Sequence, residues 1–393
     1  MRRTFITLIL FPIWLAAGDL KQLSSYHTQF AFSLYSTVNS ESSANLIFSP
    51  YSITTCLEML FIGARRETSD EIQQTLHLEF DRAQLQSLSS QLIQKLKSTD
   101  TQLDIANGMW LGSEFFVLTD YTHAIESTFQ GKITRIDFTR PTLAAQTINQ
   151  WILDKTQGKI SNLIQESDLD ETTRLILTNA VSFQGSWQTS FDPMLTAKHS
   201  FSNTPETSTS VLMMKQTGSF SYFENDLIQM VALPFKGSLA CAILLPKSQE
   251  NLQVVETEIG NAFTEWLSGL QSSQVMVQIP KFTATQRLDL NPILQTLGMN
   301  LPFTTQANFS GIDGKLDLYV SKVVHQAFFS LDEYGVTAAA ATAASIGVKS
   351  TAPNPSPISF IADHPFLYFI LDLSTQEVLF MGKFQLPSEA HGV

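Results

Sequence analysis

The stretch RLILTNAVSFQGSW, Arg174 to Trp187, is where the chain changes its rhythm. Before it, apolar residues recur at helical spacing. In LKQLSSYHTQFAFSLYSTV, residues Leu20, Leu23, Tyr26, Phe30 and Leu34 fall on one helical face. SITTCLEMLFIGA reads as a mostly apolar, buried helix closed by Gly63. TSDEIQQTL places Glu71 three residues after Thr68, the pattern of a capping box. Ile148, Trp151, Ile152 and Lys155 carry a further helix that Gly158 interrupts. After the change, QMVALPF, LACAILLP, VMVQIPKF and KVVHQAFFSL are β-rich runs separated by turn residues. HPFLYFILDL and EVLFMGKF flank Ser374-Thr375-Gln376 as the arms of a hairpin, and a helix over Leu290 to Met299 interrupts the strands. Helices first and strands later, without β–α alternation, predict an α+β domain with largely antiparallel sheets.

Charged residues make up only 15% of the 393-residue chain and hydrophobic ones 44%, which favours a sizeable core over disorder. The net charge of −12 repels phosphate backbones, so no nucleic-acid partner is expected, and a heparin-like polyanion is disfavoured for the same reason. Lys95 with Lys97, and Arg65 with Arg66, read as solvated pairs rather than as a patch. The N-terminus has the form of a secretory signal: Arg2-Arg3, an apolar run from Phe5 to Leu15, then Ala16-Ala17-Gly18. Cleavage is expected before Asp19, giving a signal peptide over 1–18 and a mature domain over 19–393. The protein is then extracellular, or periplasmic in a bacterial source. No other segment approaches the roughly 20 apolar residues that span a bilayer, so no membrane association is expected. Cys56 and Cys241 each lie in an apolar run and read as buried free thiols rather than a disulfide or a metal site. Asn308-Phe309-Ser310 is a glycosylation sequon, relevant in a eukaryotic source.

No catalytic motif is present. There is no G-x-S-x-G, P-loop, G-x-G-x-x-G or H-E-x-x-H, and the acidic DLDE at Asp168 to Glu171 lacks the glycine and spacing of a calcium loop. His325 and Asn179 sit in strand-like apolar runs, where they read as buried groups able to hydrogen-bond each other and pin adjacent strands. No enzyme activity, metal or cofactor is expected.

DEYGVTAAAATAASIGVKS, Asp332 to Ser350, holds fifteen uncharged residues between Glu333 and Lys349. As a strand it has two faces. Val336, Ala338, Ala340, Thr342, Ala344, Ile346 and Val348 form the larger, more apolar one; Thr337, Ala339, Ala341, Ala343, Ser345 and Gly347 form the smaller. Such a segment can bury one face and slip between existing strands, and Gly335 lets the chain turn sharply into a sheet. Helix and linker readings stay open on composition alone.

At this point the chain resembles a serpin. NLIFSPYSITTCLEMLFIGARRETSDEIQQTL (Asn45 to Leu76) is similar to the pattern N-x-x-F-S-P-x-S-I, an apolar helix, G-A and T-x-x-E-I. INQWILDKTQGKISNLI resembles I-N-x-W-V-x-x-x-T-x-G-K-I, and LTNAVSFQGSWQTSF resembles N-A-x-x-F-x-G-x-W-x-x-x-F. HPFLYFILDLSTQEVLFMGKF resembles the family's closing motif. The resemblance covers nearly all of the mature chain. It implies one α+β domain with about nine helices, three mostly antiparallel sheets, and a reactive-centre loop over about 333–358. It further implies a hinge at Glu333, Gly335, Val336, Thr337, Ala338, Ala339, Ala340 and Ala341, and a reactive bond at Lys349–Ser350, sixteen residues beyond Glu333. Ser49, Ser52, Asn179 and His325 match the region where strands must part. Tyr334 stands where relatives often carry a charge, Val336 is bulkier than the common Thr, and the exit side holds Pro353, Pro355 and Pro357.

Two functions follow as expectations. The first is a secreted, monomeric suicide-substrate inhibitor of trypsin-like serine proteases: metastable, trapping its target as a covalent acyl complex. The second is a non-inhibitory serpin, a ligand carrier or chaperone-like binding protein. The uncharged, Ala-rich hinge favours the first.

Overall fold

The structure, a computed structural model, describes residues 13–40, 45–97, 101–336 and 356–387. In chain order the elements begin with α1 (Ile13–Ser40), β1 (Leu46–Phe48), α2 (Pro50–Gly63), α3 (Arg66–Thr75), α4 (Arg82–Leu96), β2 (Thr101–Gly112), α5 (Thr119–Ala124), β3 (Lys132–Ile136) and α6 (Pro141–Lys155). Then come β4 (Leu175–Ser186), β5 (Ala197–Thr204), β6 (Thr207–Glu224), β7 (Ile228–Pro234), β8 (Leu239–Pro246), α7 (Leu252–Ser268), β9 (Gln271–Pro280), β10 (Phe282–Asp289) and α8 (Leu290–Thr296). The chain closes with α9 (Ser310–Asp313), β11 (Val320–Asp332), β12 (Gly335–Val336), β13 (Ile358–Ile361), β14 (Phe366–Asp372) and β15 (Glu377–Phe384). The described residues thus hold nine α-helices, and the α+β class is as expected.

Among the described residues the strands form two hydrogen-bonded sheets, where three were expected. One has six strands in the order β10-β11-β12-β4-β2-β3. The other has nine, β1-β15-β14-β8-β7-β6-β9-β13, with β5 branching from β6. The merger has a simple cause: β6 is 18 residues long, pairing with β5 along its first half and with β9 and β7 along its second. Most pairings are antiparallel; β11–β4, β2–β3 and β13–β9 are parallel.

Burial explains the sequence patterns. All fourteen residues of α2 are buried, so its apolar residues show no single face. The hairpin arms β14 and β15 are buried throughout, and Asp372 shapes their turn by accepting from the Ser374 and Thr375 backbone N–H groups (2.9 and 2.8 Å). The Thr68–Glu71 capping box is a misreading. Helix α3 starts two residues earlier, at Arg66, which frees both side chains for tertiary contacts. Thr68 Oγ1 accepts from Asn308 N–H, and one Glu71 oxygen accepts from Asn300 and Leu301 N–H. Capping boxes do form elsewhere, at Asp81–Gln84 at the start of α4 and at Gln165–Asp168. The twelve-residue strand β2 is also unannounced in a region that reads as helical. Its TQLDIANGMWLG sequence is held as a strand by register with β4, not by local alternation.

A buried charge cluster fastens the helices to the larger sheet. His27 of α1 lies between Glu58 of α2 and Glu377 of β15, each at 2.9 Å. Burial pushes the imidazole pKa down, but the two carboxylates more than offset this and hold it up at about 10. A histidine raised in the folded state stabilises fully below its unfolded value of about 6.5. That contribution is lost as pH rises through about 10. We therefore expect the melting temperature to fall between neutral pH and pH 10, with His27→Gln flattening that arm. At neutral pH His27→Gln should cost about 3 kcal/mol, the usual penalty for breaking a buried ion pair, measured by denaturant titration.

Candidate functional site at the fork of the six-stranded sheet

Strands β11 and β4 run parallel and are paired from Val320 and Leu175 to Phe328 and Ser182. Beyond that point they part, and Gly335–Val336 lies between them. Gly335 faces Asp332 on one side and Ser186 on the other; Val336 faces Leu331 and Gly185. The short strand is antiparallel to both neighbours because the chain reverses directly after β11. Asp332 makes that turn by accepting from the backbone N–H groups of Tyr334 (2.8 Å) and Gly335 (3.2 Å). Only glycine fits at 335. Its φ is +143°, and a Cβ would stand 2.0 Å from the Gly185 carbonyl oxygen. Val336 is fully buried.

The turn is anchored by Glu333, which is 5% exposed. Its carboxylate pairs with Lys281 (2.7 Å) and accepts from Thr196 Oγ1 (2.8 Å), while its carbonyl accepts from Phe191 N–H. Burial works against the charged form, but the Lys281 ammonium and the Thr196 hydroxyl outweigh it and keep the carboxyl below its ordinary pKa. Trp187 adds two bonds, from its indole N–H to Asp332 O (2.9 Å) and from its backbone N–H to Tyr334 O (3.0 Å).

Below the fork sits a closed polar network. His325 and Asn179 face each other in the β11–β4 register and are hydrogen-bonded through Nδ1 and Oδ1. His325 Nε2 accepts from Ser49 N–H (3.1 Å), which fixes the proton on Nδ1. The Asn179 amide donates to Ser52 O (2.9 Å) and to Asn107 Oδ1. Ser49 caps α2, accepting from Ser52 N–H (3.2 Å) and donating to Leu379 O (2.5 Å). The network ties α2, β2, β4, β11 and β15 together. Burial pushes the His325 pKa down to about 3, so the ring is neutral.

The structure thus brings Ser49, Ser52, Asn179 and His325 into one cluster, and places Glu333, Gly335 and Val336 at the fork. Thr337, Ala338, Ala339, Ala340, Ala341, Lys349 and Ser350 lie outside the described residues, as do residues 1–12 of the expected signal peptide. Cys56 and Cys241 are free and buried, each thiol pushed up to about 12 by burial. Asn107, Lys281 and Thr196 escaped sequence reading. Each reaches the site from a distant element, and no local pattern marks any of them.

Two outcomes are expected. An imidazole held neutral in the fold binds fewer protons than the unfolded chain below about pH 6.5, so stability should fall as pH drops from 6.5 toward 3. Replacing His325 with Gln should remove that slope while costing about 1–3 kcal/mol at pH 7 through unmatched buried partners, read from melting curves across pH. Glu333→Ala should cost a similar amount, about 1–3 kcal/mol, and Lys281→Ala less, since Lys281 is a third exposed.

Known proteins share this architecture. A family model described as serpin (serine protease inhibitor) matches residues 25–387. A serpin-like protein of Thermococcus kodakarensis is 33% identical over 380 residues, spanning 95% of this chain and 88% of the relative. Human serpin B3 is 32% identical over 395 residues, spanning 94% and 100%. The crystal structure of Serpin48, a highly specific serpin of the insect Tenebrio molitor, aligns with a TM-score of 0.87 at 30% identity, over 93% of this chain and 98% of that one. Motifs in order, a forked sheet over a closed His–Asn–Ser network and these matches lead to one conclusion: the chain belongs to the serpin family, protease inhibitors rather than enzymes.

Proposed function

We propose that this protein is a secreted suicide-substrate inhibitor of trypsin-like serine proteases, cleaved at Lys349–Ser350. The observation that carries the reading is the paired Gly335–Val336 strand inside the fork. It is the first rung of an insertion. Each further loop residue steps one position back along both β4 and β11. Ala339 then meets Ser182 and Phe328, the last pair of the parallel ladder, and Thr342 comes between Asn179 and His325. Insertion therefore breaks the His325–Asn179 bond, and the inward-facing Thr342 hydroxyl takes up partners that bond releases.

The chemistry belongs to the protease. Its serine Oγ attacks the Lys349 carbonyl carbon, the bond to the Ser350 nitrogen breaks, the leaving amine takes a proton from the protease histidine, and an ester to Lys349 remains. Water would normally hydrolyse that ester. Loop insertion carries the attached protease away from Val336 along the sheet, and the distortion of its active site outruns deacylation. Lysine suits a specificity pocket that carries a carboxylate. Small, uncharged loop residues keep the insertion fast. A carrier role would not need a rung already seated.

Mixing the protein with trypsin should give a complex that survives denaturation, with release of a Ser350–Val393 fragment identified by mass spectrometry. Lys349→Glu should abolish that complex. Thr342→Asp should still be cut at Lys349 but not trap, because a carboxylate would have to enter the buried His325–Asn179 site. Cleavage of the unaltered chain without trapping and without a rise in melting temperature would favour the carrier reading. Trapping of a papain-like cysteine protease, but not trypsin, would reassign the target class.

A further inference from the structure

A groove of about 480 Å³ lies at the end of the six-stranded sheet opposite the fork. Arg174 enters it from just before β4, Tyr319 from just before β11, Glu114 and Phe115 from just after β2, and Lys315 and Asp317 from the segment between α9 and β11. Phe115 is buried and gives the groove an aromatic wall, with the Arg174 guanidinium 6.0 Å from the ring centroid. Four charged side chains line the groove, two of each sign, so it is neutral as a whole on a chain of net charge −12. The Arg174–Glu114 pair is loose at 3.6 Å, and both side chains are partly exposed (34% and 56%). A pair of that kind holds its partners weakly and leaves them available to a ligand. A lone cation or a lone anion would leave half of the groove unmatched. A zwitterion, carrying a carboxylate and an ammonium together, matches both halves.

The chain itself supplies such a group. Continuing the register of Val336 against Gly185 and Leu331 brings Lys349 level with Thr172 and Leu318, just beyond the ends of β4 at Leu175 and β11 at Val320. At that level the Tyr319 hydroxyl donates to Thr172 O (3.0 Å), beside Arg174 and Asp317 of the groove. While the protease is attached, Lys349 offers only its ammonium. Hydrolysis adds water across the ester: the protease serine recovers its hydroxyl, a proton goes to solvent, and Lys349 becomes a chain terminus with an α-carboxylate and an ε-ammonium. We propose that this groove seats that terminus in the cleaved, inserted chain: Arg174 and Lys315 take the carboxylate, and Glu114 and Asp317 take the ammonium. The seat rests on the insertion reading above. It acts on the product, latching the end of the inserted strand, and it discriminates a terminal lysine from an uncharged residue or a blocked terminus.

The test uses the full protein and three synthetic peptides copying Thr337–Lys349: the free acid, its C-terminal amide, and the free acid with norleucine in place of Lys349. Their incorporation into the sheet and their release are followed by native gel and by melting temperature. The free-acid lysine peptide should leave the unaltered protein about five-fold more slowly than either of the others, the effect of one well-formed exposed ion pair. Raising the salt concentration should shrink both differences. Arg174→Gln should narrow the difference between acid and amide while keeping the preference for lysine over norleucine. Asp317→Asn should do the reverse. A merely structural role for either residue would change all three release rates together. In the trypsin-cleaved protein, carboxypeptidase B should remove Lys349, read as the loss of one lysine by mass spectrometry, about five-fold more slowly than in cleaved Asp317→Asn. Equal release of the three peptides from the unaltered protein overturns the seat and leaves the insertion reading standing. No incorporation of any peptide, with no stabilisation after loop cleavage, overturns the insertion reading and the seat with it.

Discussion

The hydrogen bond between His325 and Asn179 is the constraint on which the rest of the architecture depends. It joins two parallel strands just below the place where they separate. Both side chains are fully buried, so neither can turn to water, and every polar atom needs a protein partner. Asn179 meets the demand with both ends of its amide, accepting from His325 and donating to Ser52 and Asn107. His325 meets it by staying neutral and using its second nitrogen as an acceptor for Ser49. One network thus fixes the tautomer of a histidine, the cap of a helix and the register of the strands.

Above this network the sheet changes its pairing. The parallel β4–β11 ladder closes the lower sheet, while Gly335–Val336 wedges it open at the top. Extending the wedge, as proposed above, would replace one parallel pairing by two antiparallel ones. The new ladders would carry more hydrogen bonds, and antiparallel pairing is slightly stronger per residue. What would oppose that change is local: the polar network beneath and the Glu333–Lys281 pair above.

The two buried histidines show how environment assigns chemistry. His27 and His325 are the same residue type in equally dry surroundings. Carboxylates on both sides keep His27 charged, whereas amide and backbone partners leave His325 neutral. Nothing in the runs SSYHTQF and KVVHQAF separates the two cases. The partners arrive from residues far along the chain.

The helical face of α1, the buried apolar run of α2 and the β14–β15 hairpin were legible in the sequence by itself. So was a His–Asn contact between apolar strands. Each is written in local periodicity or in the type of residue placed in an apolar run. The sequence alone determined an α+β chain with an uncharged, small-residue ribbon ending on one lysine. The tertiary structure decided what Gly335 and Val336, at its start, lie between. The β2 strand, the misread Thr68–Glu71 pair, the merging of sheets through β6 and the partners of Glu333 depend on register between elements distant in sequence. A one-residue shift in that register would send every side chain of a strand to the opposite face. Local pattern records only which faces a segment has; packing of the whole chain decides what lies against each.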